Sequence, residues 1–197
     1  MSILNQKTIA KSIIFNGIGL HTGNKVQLKL IPATPNTGII FKRVDLLKNN
    51  MVFPTFENVS ETTLCTTISN SQGTKVSTIE HLMGALYGIG IDNLIVEINS
   101  QELPILDGSA KVFVENILSA GIKSSTAPIK LIKINKKVTY TDGVRHISLD
   151  QSKVSSEIDF EIKYENKIIQ TQRNKINVFN DDLKDIFYSR TFCLYKD

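Results

Sequence analysis

Several residue types are scarce in this 197-residue chain, and each scarcity narrows the range of functions. There is no tryptophan, and the two cysteines, Cys65 and Cys193, lie far apart without a CxxC motif. Neither a disulfide framework nor a redox motif is therefore expected, and a reducing compartment is the default. No apolar run reaches the ~18 residues of a membrane-spanning helix, and the N-terminal segment has no secretory signal pattern. We expect a cytoplasmic protein without a transmembrane helix.

The charge balance gives little support to nucleic-acid binding. The formal net charge is +4, and the basic residues are scattered, with short pairs such as Lys136–Lys137 but no basic block. A solvated basic surface explains this pattern, so no nucleic-acid partner is expected, although an anionic substrate would be compatible with it. Hydrophobic residues make up 41% and charged residues 21% of the chain, which is typical of a folded globular protein.

The first part of the chain predicts strands and then helices. Alternating or β-branched apolar residues predict strands over residues 8–15, 26–31, 38–44, 66–69 and 93–98. The first of these strands should end in a turn at Asn16-Gly17. Helical spacing predicts one helix that begins at Ser77 or Thr78 and a second over residues 109–120, each ended by glycine.

A second part begins after a polar cluster at residues 123–128, which we interpret as a break between domains 1–127 and 128–197. Strands are predicted over residues 129–139, 145–150 and 158–164, the first two joined across Asp142-Gly143, and a helix over 183–188. Both parts therefore show strands followed by a helix. If they are copies of one α+β unit, the second copy is incomplete, which predicts a truncated chain. The alternative is a small, complete extension.

The adjacent pair Glu80–His81 is the strongest candidate for chemistry. Both residues fall in the first turn of the predicted helix, where the helix dipole disfavours an imidazolium and so favours a neutral, metal-binding imidazole. A neighbouring carboxylate can act as general base on a metal-bound water. The alternative is structural: Glu80 completes a capping box with Ser77, and His81 is a partly buried helix residue. His146, in a predicted strand, is interpreted as a surface residue.

Other polar residues are weaker candidates. His21 lies in a glycine-rich stretch that could border a pocket or form an ordinary turn. Asp107 could orient a catalytic group, or it could form an Asx-turn or helix cap. Cys65 could be a ligand or reactive thiol, although a small buried side chain is the usual role of a lone cysteine. Thr191 and Phe192 offer a hydroxyl donor and an apolar contact after the last predicted helix.

Six segments, taken together and in this order, resemble one family. They are residues 17–23 (GIGLHTG), 63–66 (TLCT), 77–86 (STIEHLMGAL), 90–93 (GIDN), 104–109 (PILDGS) and 190–192 (RTF). The sequence closely resembles the UDP-3-O-acyl-N-acetylglucosamine deacetylases, the zinc amidases of lipid A synthesis in Gram-negative bacteria. The resemblance extends over essentially the whole chain. It implies two similar α+β domains, each with a sheet and two helices, packed as a layered sandwich.

The resemblance also implies roles for individual residues. His81 corresponds to the first zinc ligand, Glu80 to the general base, and Thr191 to the residue that helps to hold the tetrahedral oxyanion. Leu20 and Phe192 correspond to apolar substrate contacts. Supporting roles in or near the site are implied for three further residues, namely His21, Cys65 and Asp107.

One departure from the family pattern matters for activity. The family's other two zinc ligands, a histidine and an aspartate, and its general-acid histidine all follow the segment that corresponds to residues 190–192. We therefore expect an N-terminal portion of such an enzyme, with one zinc ligand of three, that is inactive alone and could pair with a separate C-terminal fragment. The alternative is a non-catalytic remnant or partner-binding module of the same fold.

Overall fold

The computed structural model describes residues 4–152 and 156–193. The chain divides into two compact units, one made of Met1–Ile129 with Lys184–Asp197 and the other of Lys130–Leu183. Helices accompany sheets that are mainly antiparallel, so the predicted α+β class is confirmed. Within the described ranges, no helix is both long and apolar enough to cross a membrane.

The first unit is built around a five-stranded sheet of order β2-β3-β9-β4-β5. Strands β6, β7 and β8 form a second sheet, and β1 pairs with β10. The strands are β1 (Asn5–Ile9), β2 (Ile13–Ile18), β3 (Lys25–Pro32), β4 (Ile39–Arg43), β5 (Met51–Val52), β6 (Val59–Glu61), β7 (Thr67–Ser69), β8 (Lys75–Val76), β9 (Leu94–Ile98) and β10 (Ile122–Pro128). The helices are a 3-10 turn (Phe56–Asn58), α1 (Glu80–Ile89), α2 (Lys111–Ala120) and α3 (Lys184–Tyr188).

The core of this unit forms where one face of the five-stranded sheet meets α1 and α2. The alternation in β3 buries every second residue, as the sequence predicted, and the apolar stripes of the two helices supply the other half of the same cluster. Phe15 of β2 meets Phe113 of α2 edge to face, with ring centroids 5.1 Å apart. Gly90 ends α1 in the left-handed conformation, as predicted.

Two stretches of the first unit have a local structure that differs from the one predicted. Asn16-Gly17 does not form a turn but continues β2, where Gly17 pairs with Val26. The chain reverses later, between Gly19 and Asn24, whose backbone groups are hydrogen-bonded at 3.0 Å. Residues 123–128 form part of β10, which pairs with β1, rather than a linker, and the domain boundary at 127/128 stays a prediction. A strand at a sheet edge tolerates the polar residues that suggested a linker.

The second unit contains two hairpins. Strand β11 (Val138–Asp142) pairs with β12 (Arg145–Leu149) across the predicted Asp142-Gly143 turn, and β13 (Glu157–Lys163) pairs with β14 (Thr171–Asn177). The strand predicted over residues 129–139 is therefore confirmed only from residue 138 onward. Strand β14 was not predicted because its sequence, TQRNKIN, is almost entirely polar. Among the described residues of this unit, Val178 is the one buried side chain.

Helix α3 packs on the first unit. Phe187 lies against the hydrophobic core, and the Tyr188 hydroxyl donates a 2.9 Å hydrogen bond to Glu115 of α2. The following residues therefore lie beside the loop that leads into α2. The assignment of residues 128–197 to one second domain stays a prediction.

Candidate active site

The start of α1 differs from the predicted capping box. Ile79, not Ser77 or Thr78, is the N-cap, and it makes no side-chain capping bond. The Ser77 N–H donates to the carbonyl oxygen of Gln101 (2.8 Å). The Glu80 carboxylate instead accepts a hydrogen bond at Oε2 from the backbone N–H of Thr66 (3.0 Å). The structural explanation for Glu80, a capping box, is therefore wrong.

This arrangement leaves part of the Glu80–His81 pair available. Both side chains are partly exposed. In the part of the chain that the structure describes, no donor contacts Oε1 of Glu80 and no hydrogen bond engages the His81 imidazole. A carboxylate that is held on one oxygen and open on the other can move a proton, and an open imidazole can bind a metal.

Backbone strain gathers around the same residues. Six non-glycine residues among those described have positive φ, and two of them, Asn36 and Asn49, are of a type that tolerates it better than most. A third, Gln170, lies in the second unit. The other three are Leu64 (φ 60°), Thr78 (φ 58°) and Leu106 (φ 53°). Leu64 directly precedes Cys65, and Leu106 directly precedes Asp107. Thr78 lies two residues before Glu80. Such outliers persist only where surrounding contacts enforce them, and they concentrate at functional sites.

A buried carboxylate that sequence reasoning missed, Glu102, connects these segments. It is 1% exposed and accepts bonds from the backbone N–H groups of His21 (2.9 Å) and Thr22 (2.8 Å). The hydroxyls of Thr22 (2.7 Å) and Thr78 (3.1 Å) also donate to it. Burial alone would raise the pKa of Glu102, but these four hydrogen bonds outweigh it and place the pKa below its ordinary value.

The glycine-rich loop is shaped by the same carboxylate. A Cβ on Gly19 would lie 2.4 Å from a carboxylate oxygen of Glu102 and 2.5 Å from the Thr22 hydroxyl, so no other residue fits without displacement. A Cβ on Gly17 would lie 2.8 Å from Cβ of Pro104. A signal for Glu102 existed in the sequence: it is a charged residue that stands next to the apolar run Leu103 to Leu106.

Asp107 occupies the loop before α2. Its Oδ1 accepts bonds from the Ser109 hydroxyl (2.8 Å) and backbone N–H (3.2 Å), and Arg190 lies 3.9 Å from its other oxygen. Partial burial would raise the pKa of Asp107, but the Ser109 bonds and the Arg190 guanidinium outweigh it and lower the pKa. Asp107 thus forms the predicted Asx-turn. The Thr191 N–H donates to the carbonyl oxygen of Gly108 (2.9 Å), which holds the two segments side by side.

The remaining candidates lie around this network. Leu20 and Phe192 are about half exposed, at 52% and 50%. The His21 side chain is exposed, while its backbone N–H is bound to Glu102. Cys65 is half-buried, with its sulfur 3.7 Å from the Thr67 hydroxyl. His146 is exposed in β12, as predicted.

Hydrogen bonds join five of the six motif segments. Thr66 binds Glu80, and residues 77 and 78 bind residues 101 and 102. The loop at residues 18–22 binds residues 102 and 105. Residue 191 binds residue 108. The sixth segment, residues 90–93, lies at the opposite end of α1. There Gly90 caps the helix, and the buried Asn93 donates to Gln6 (3.0 Å). Its role in the structure is therefore in folding.

The described residues do not form a complete metal site. They contain no group of three or more histidine, cysteine, aspartate or glutamate side chains placed to hold a metal ion. His81 is compatible with one ligand position, since its imidazole is partly exposed and open. A catalytic zinc ion in a protein usually has three protein ligands. No catalytic step through a metal is therefore derived from the described residues alone.

Comparison with known proteins decides the family. A family model described as UDP-3-O-acyl N-acetylglycosamine deacetylase matches residues 6–197. The chain belongs to this deacetylase family. It is 41% identical over 99% of its length to the UDP-3-O-acyl-N-acetylglucosamine deacetylase of Pseudoalteromonas atlantica, and 40% identical over 98% to that of Shewanella oneidensis. The Shewanella frigidimarina deacetylase is 42% identical over 98% of the chain.

The deacetylase relatives are longer than this chain. The matched regions cover 65% of the Pseudoalteromonas atlantica protein and 63% of each Shewanella protein, so the chain spans just under two thirds of each. Family membership therefore extends over the whole chain.

Proposed function

We propose that this chain supplies the general base and one metal ligand of a zinc-dependent amide hydrolase. The substrate would be UDP-3-O-(3-hydroxyacyl)-N-acetylglucosamine, whose N-acetyl group is hydrolysed to acetate and a free amine in lipid A biosynthesis in the cytoplasm. The names of the deacetylase relatives support this substrate class. The observation that carries the proposal is the Glu80 carboxylate, which is fixed by Thr66 beside an open His81 and caps nothing.

Glu80 has the geometry of a general base. The Thr66 N–H holds Oε2, so the side chain is oriented, and Oε1 can take a proton from an attacking water. His81 would be one ligand of the zinc ion, with the others from residues that follow the Arg190–Phe192 segment in the family. When bound, zinc lowers the pKa of water and polarises the amide carbonyl.

The surrounding residues would bind and orient the substrate. The Thr191 hydroxyl would stabilise the developing oxyanion, since its backbone is fixed against Gly108 next to Asp107. Leu20 and Phe192 offer exposed apolar surface for the acyl group. His21 and Cys65 would line the site near the Glu102 and Thr66 contacts.

The decisive experiment supplies the part of a relative that this chain does not cover. The chain is assayed alone and together with the part of the Pseudoalteromonas atlantica relative that it does not cover, with acetate release from the UDP-sugar as the readout. We expect zinc-dependent turnover only when both parts are present. Glu80→Gln should lower kcat by about 10²- to 10⁴-fold with zinc content unchanged. His81→Gln should lower zinc content and turnover together.

His146→Gln is the matched control, because this exposed histidine lies in a hairpin of the second unit. It should change neither zinc content nor turnover. Full turnover by Glu80→Gln would contradict the role of Glu80. Absence of zinc-dependent turnover in the combined protein would favour a non-catalytic, partner-binding module of the same fold.

A further inference from the structure

A buried charge remains without a role in the proposed reaction. Glu102 is 1% exposed, and its oxygens accept the four hydrogen bonds described above. Burying a carboxylate is strongly unfavourable unless hydrogen bonds compensate for lost hydration. A carboxylate that receives donors from two separate segments restrains both of them at once.

The first of these segments is the loop of Leu20 and His21. The backbone N–H groups of His21 and Thr22 both point at Glu102, one at each carboxylate oxygen. Gly19 provides the space for this approach, since a Cβ there would overlap the carboxylate. The loop position is thus set by Glu102 rather than by a regular hairpin turn.

The second segment is the entry to α1. Thr78 is 3% exposed and has a φ of 58°, which is unfavourable for a β-branched residue. Its hydroxyl donates to Glu102 Oε1. The chain direction set at Thr78 determines where Glu80 and His81 project two and three residues later. Strain of this kind persists only when surrounding contacts enforce it.

We propose that Glu102 is a positioning residue, which ties the Leu20–Thr22 loop to the strained Thr78 and so fixes the placement of Glu80 and His81. The proposal rests on the proposed function for its catalytic meaning, but its structural content can be tested without turnover. It predicts that a change at Glu102 loosens the Thr66–Glu80 hydrogen bond, in which Glu102 takes no part.

Glutamine and valine provide the test variants. Glu102→Gln keeps the size but removes the charge and one acceptor oxygen, which turns an amide NH₂ toward backbone donors. Thr78→Val keeps the branched shape and removes only the hydroxyl, while Thr78→Ser keeps the hydroxyl. Amide hydrogen exchange of the 197-residue chain is measured at His21, Thr22 and Thr66. We expect about 10- to 100-fold faster exchange at His21 and Thr22 in Glu102→Gln.

The Thr66 amide separates positioning from a general structural role. It should exchange faster in Glu102→Gln and in Thr78→Val, and at the parent rate in Thr78→Ser. Ile117→Ala changes a buried core side chain that takes no part in these hydrogen bonds; it is the control for global destabilisation and should raise exchange across the unit without selectivity for Thr66. Selective loosening supports the proposal; uniform acceleration, or an unchanged Thr66 in Glu102→Gln and Thr78→Val, overturns it. If Glu102→Gln does not fold, the comparison of Thr78→Val with Thr78→Ser decides whether the proposal holds.

Turnover adds a second readout in the combined protein. Glu102→Gln should lower kcat through Glu80 and His81, and it should raise KM by a smaller factor, because it also loosens the loop that carries the substrate contact Leu20. A larger effect on KM than on kcat would contradict the proposal. If the parent protein has no turnover at all, the proposed function fails, while the exchange measurements still decide whether Glu102 positions the start of α1.

Discussion

Contacts between single atoms determine the position of the loop that carries Leu20 and His21. A methyl group on Gly19 would occupy the same space as a carboxylate oxygen of Glu102, which is held in place by four donors and cannot easily withdraw. Gly84, in the middle of α1, is the opposite case, because a Cβ there meets no atom within 4 Å apart from the helix's own backbone. A close contact therefore requires glycine at position 19, whereas no contact requires it at position 84.

Substitution by alanine should act in opposite directions at these two positions. Gly19→Ala should lower the free energy of unfolding by about 1–3 kcal/mol, as overpacking does. Gly84→Ala should raise it by about 0.5–1 kcal/mol, because alanine stabilises a helix relative to glycine. Urea unfolding followed by circular dichroism measures both, since the chain has no tryptophan for fluorescence. A neutral Gly19→Ala would contradict the close approach to Glu102.

At the scale of secondary-structure elements, helix α2 connects the core to the candidate site. Its buried stripe contains Phe113, Val114 and Ile117, while the loop before it carries Asp107. Helix α3 lies against α2 through the Tyr188–Glu115 bond, which brings Thr191 to Gly108. Packing of α2 on the sheet therefore positions two segments of the candidate site, the loop with Asp107 and the segment with Thr191.

Neighbouring residues of α2 should differ sharply in their contribution to stability. Ile117→Ala removes a fully buried side chain and should cost about 2–5 kcal/mol of unfolding free energy. Leu118→Ala removes a side chain that is 55% exposed and should change it by no more than about 0.5 kcal/mol. Equal effects at both positions would mean that α2 does not present this face to the core. Chemical denaturation of the two variants in parallel gives the comparison.

For the whole molecule, stability should depend on the ionised state of buried carboxylates. In the folded protein, hydrogen bonds hold the pKa of Glu102 below the ordinary value of about 4.3. A lowered folded-state pKa stabilises the protein above the unfolded-state pKa. This stabilisation is lost as the pH falls from about 4.3 through the folded-state pKa.

The stability difference between the parent chain and Glu102→Gln should therefore be largest near neutral pH. It should shrink as the pH falls from about 4.3 toward the folded-state pKa of Glu102, because protonation removes the charge from the parent as well. Urea titrations of both proteins at several pH values down to about pH 3 measure this difference. A difference that stays constant over that range would show that the charge of Glu102 is not what stabilises the fold.

The two units differ in how their apolar residues are used. In the first, one face of the five-stranded sheet is covered by helices and buried. In the second, the hairpin β11–β12 carries Val138, Tyr140, Ile147 and Leu149 on one face, and each of these side chains is more than half exposed. Alternation predicts which side of a strand is apolar, but not what covers it.

The sequence by itself determined the α+β class, strand β3, helices α1 and α2, the glycine that ends α1 and the turn at Asp142-Gly143. It also placed Glu80 and His81 together in the first turn of a helix, because local spacing decides which residues share a helix turn, and their catalytic roles stay a prediction. These features depend on neighbours within a few positions. Local reasoning failed at Asn16-Gly17, where a common turn pair lies within a strand because both residues pair with β3.

Only the tertiary structure decided the contacts between distant segments. It paired β1 with β10, placed α3 on the first unit, removed Glu80 from a capping role and brought Glu102 to His21 and Thr78. Each of these contacts joins residues that are remote in sequence or depends on such a pairing. Periodicity shows which residues are buried, but the partner of a buried polar group is fixed by the fold alone.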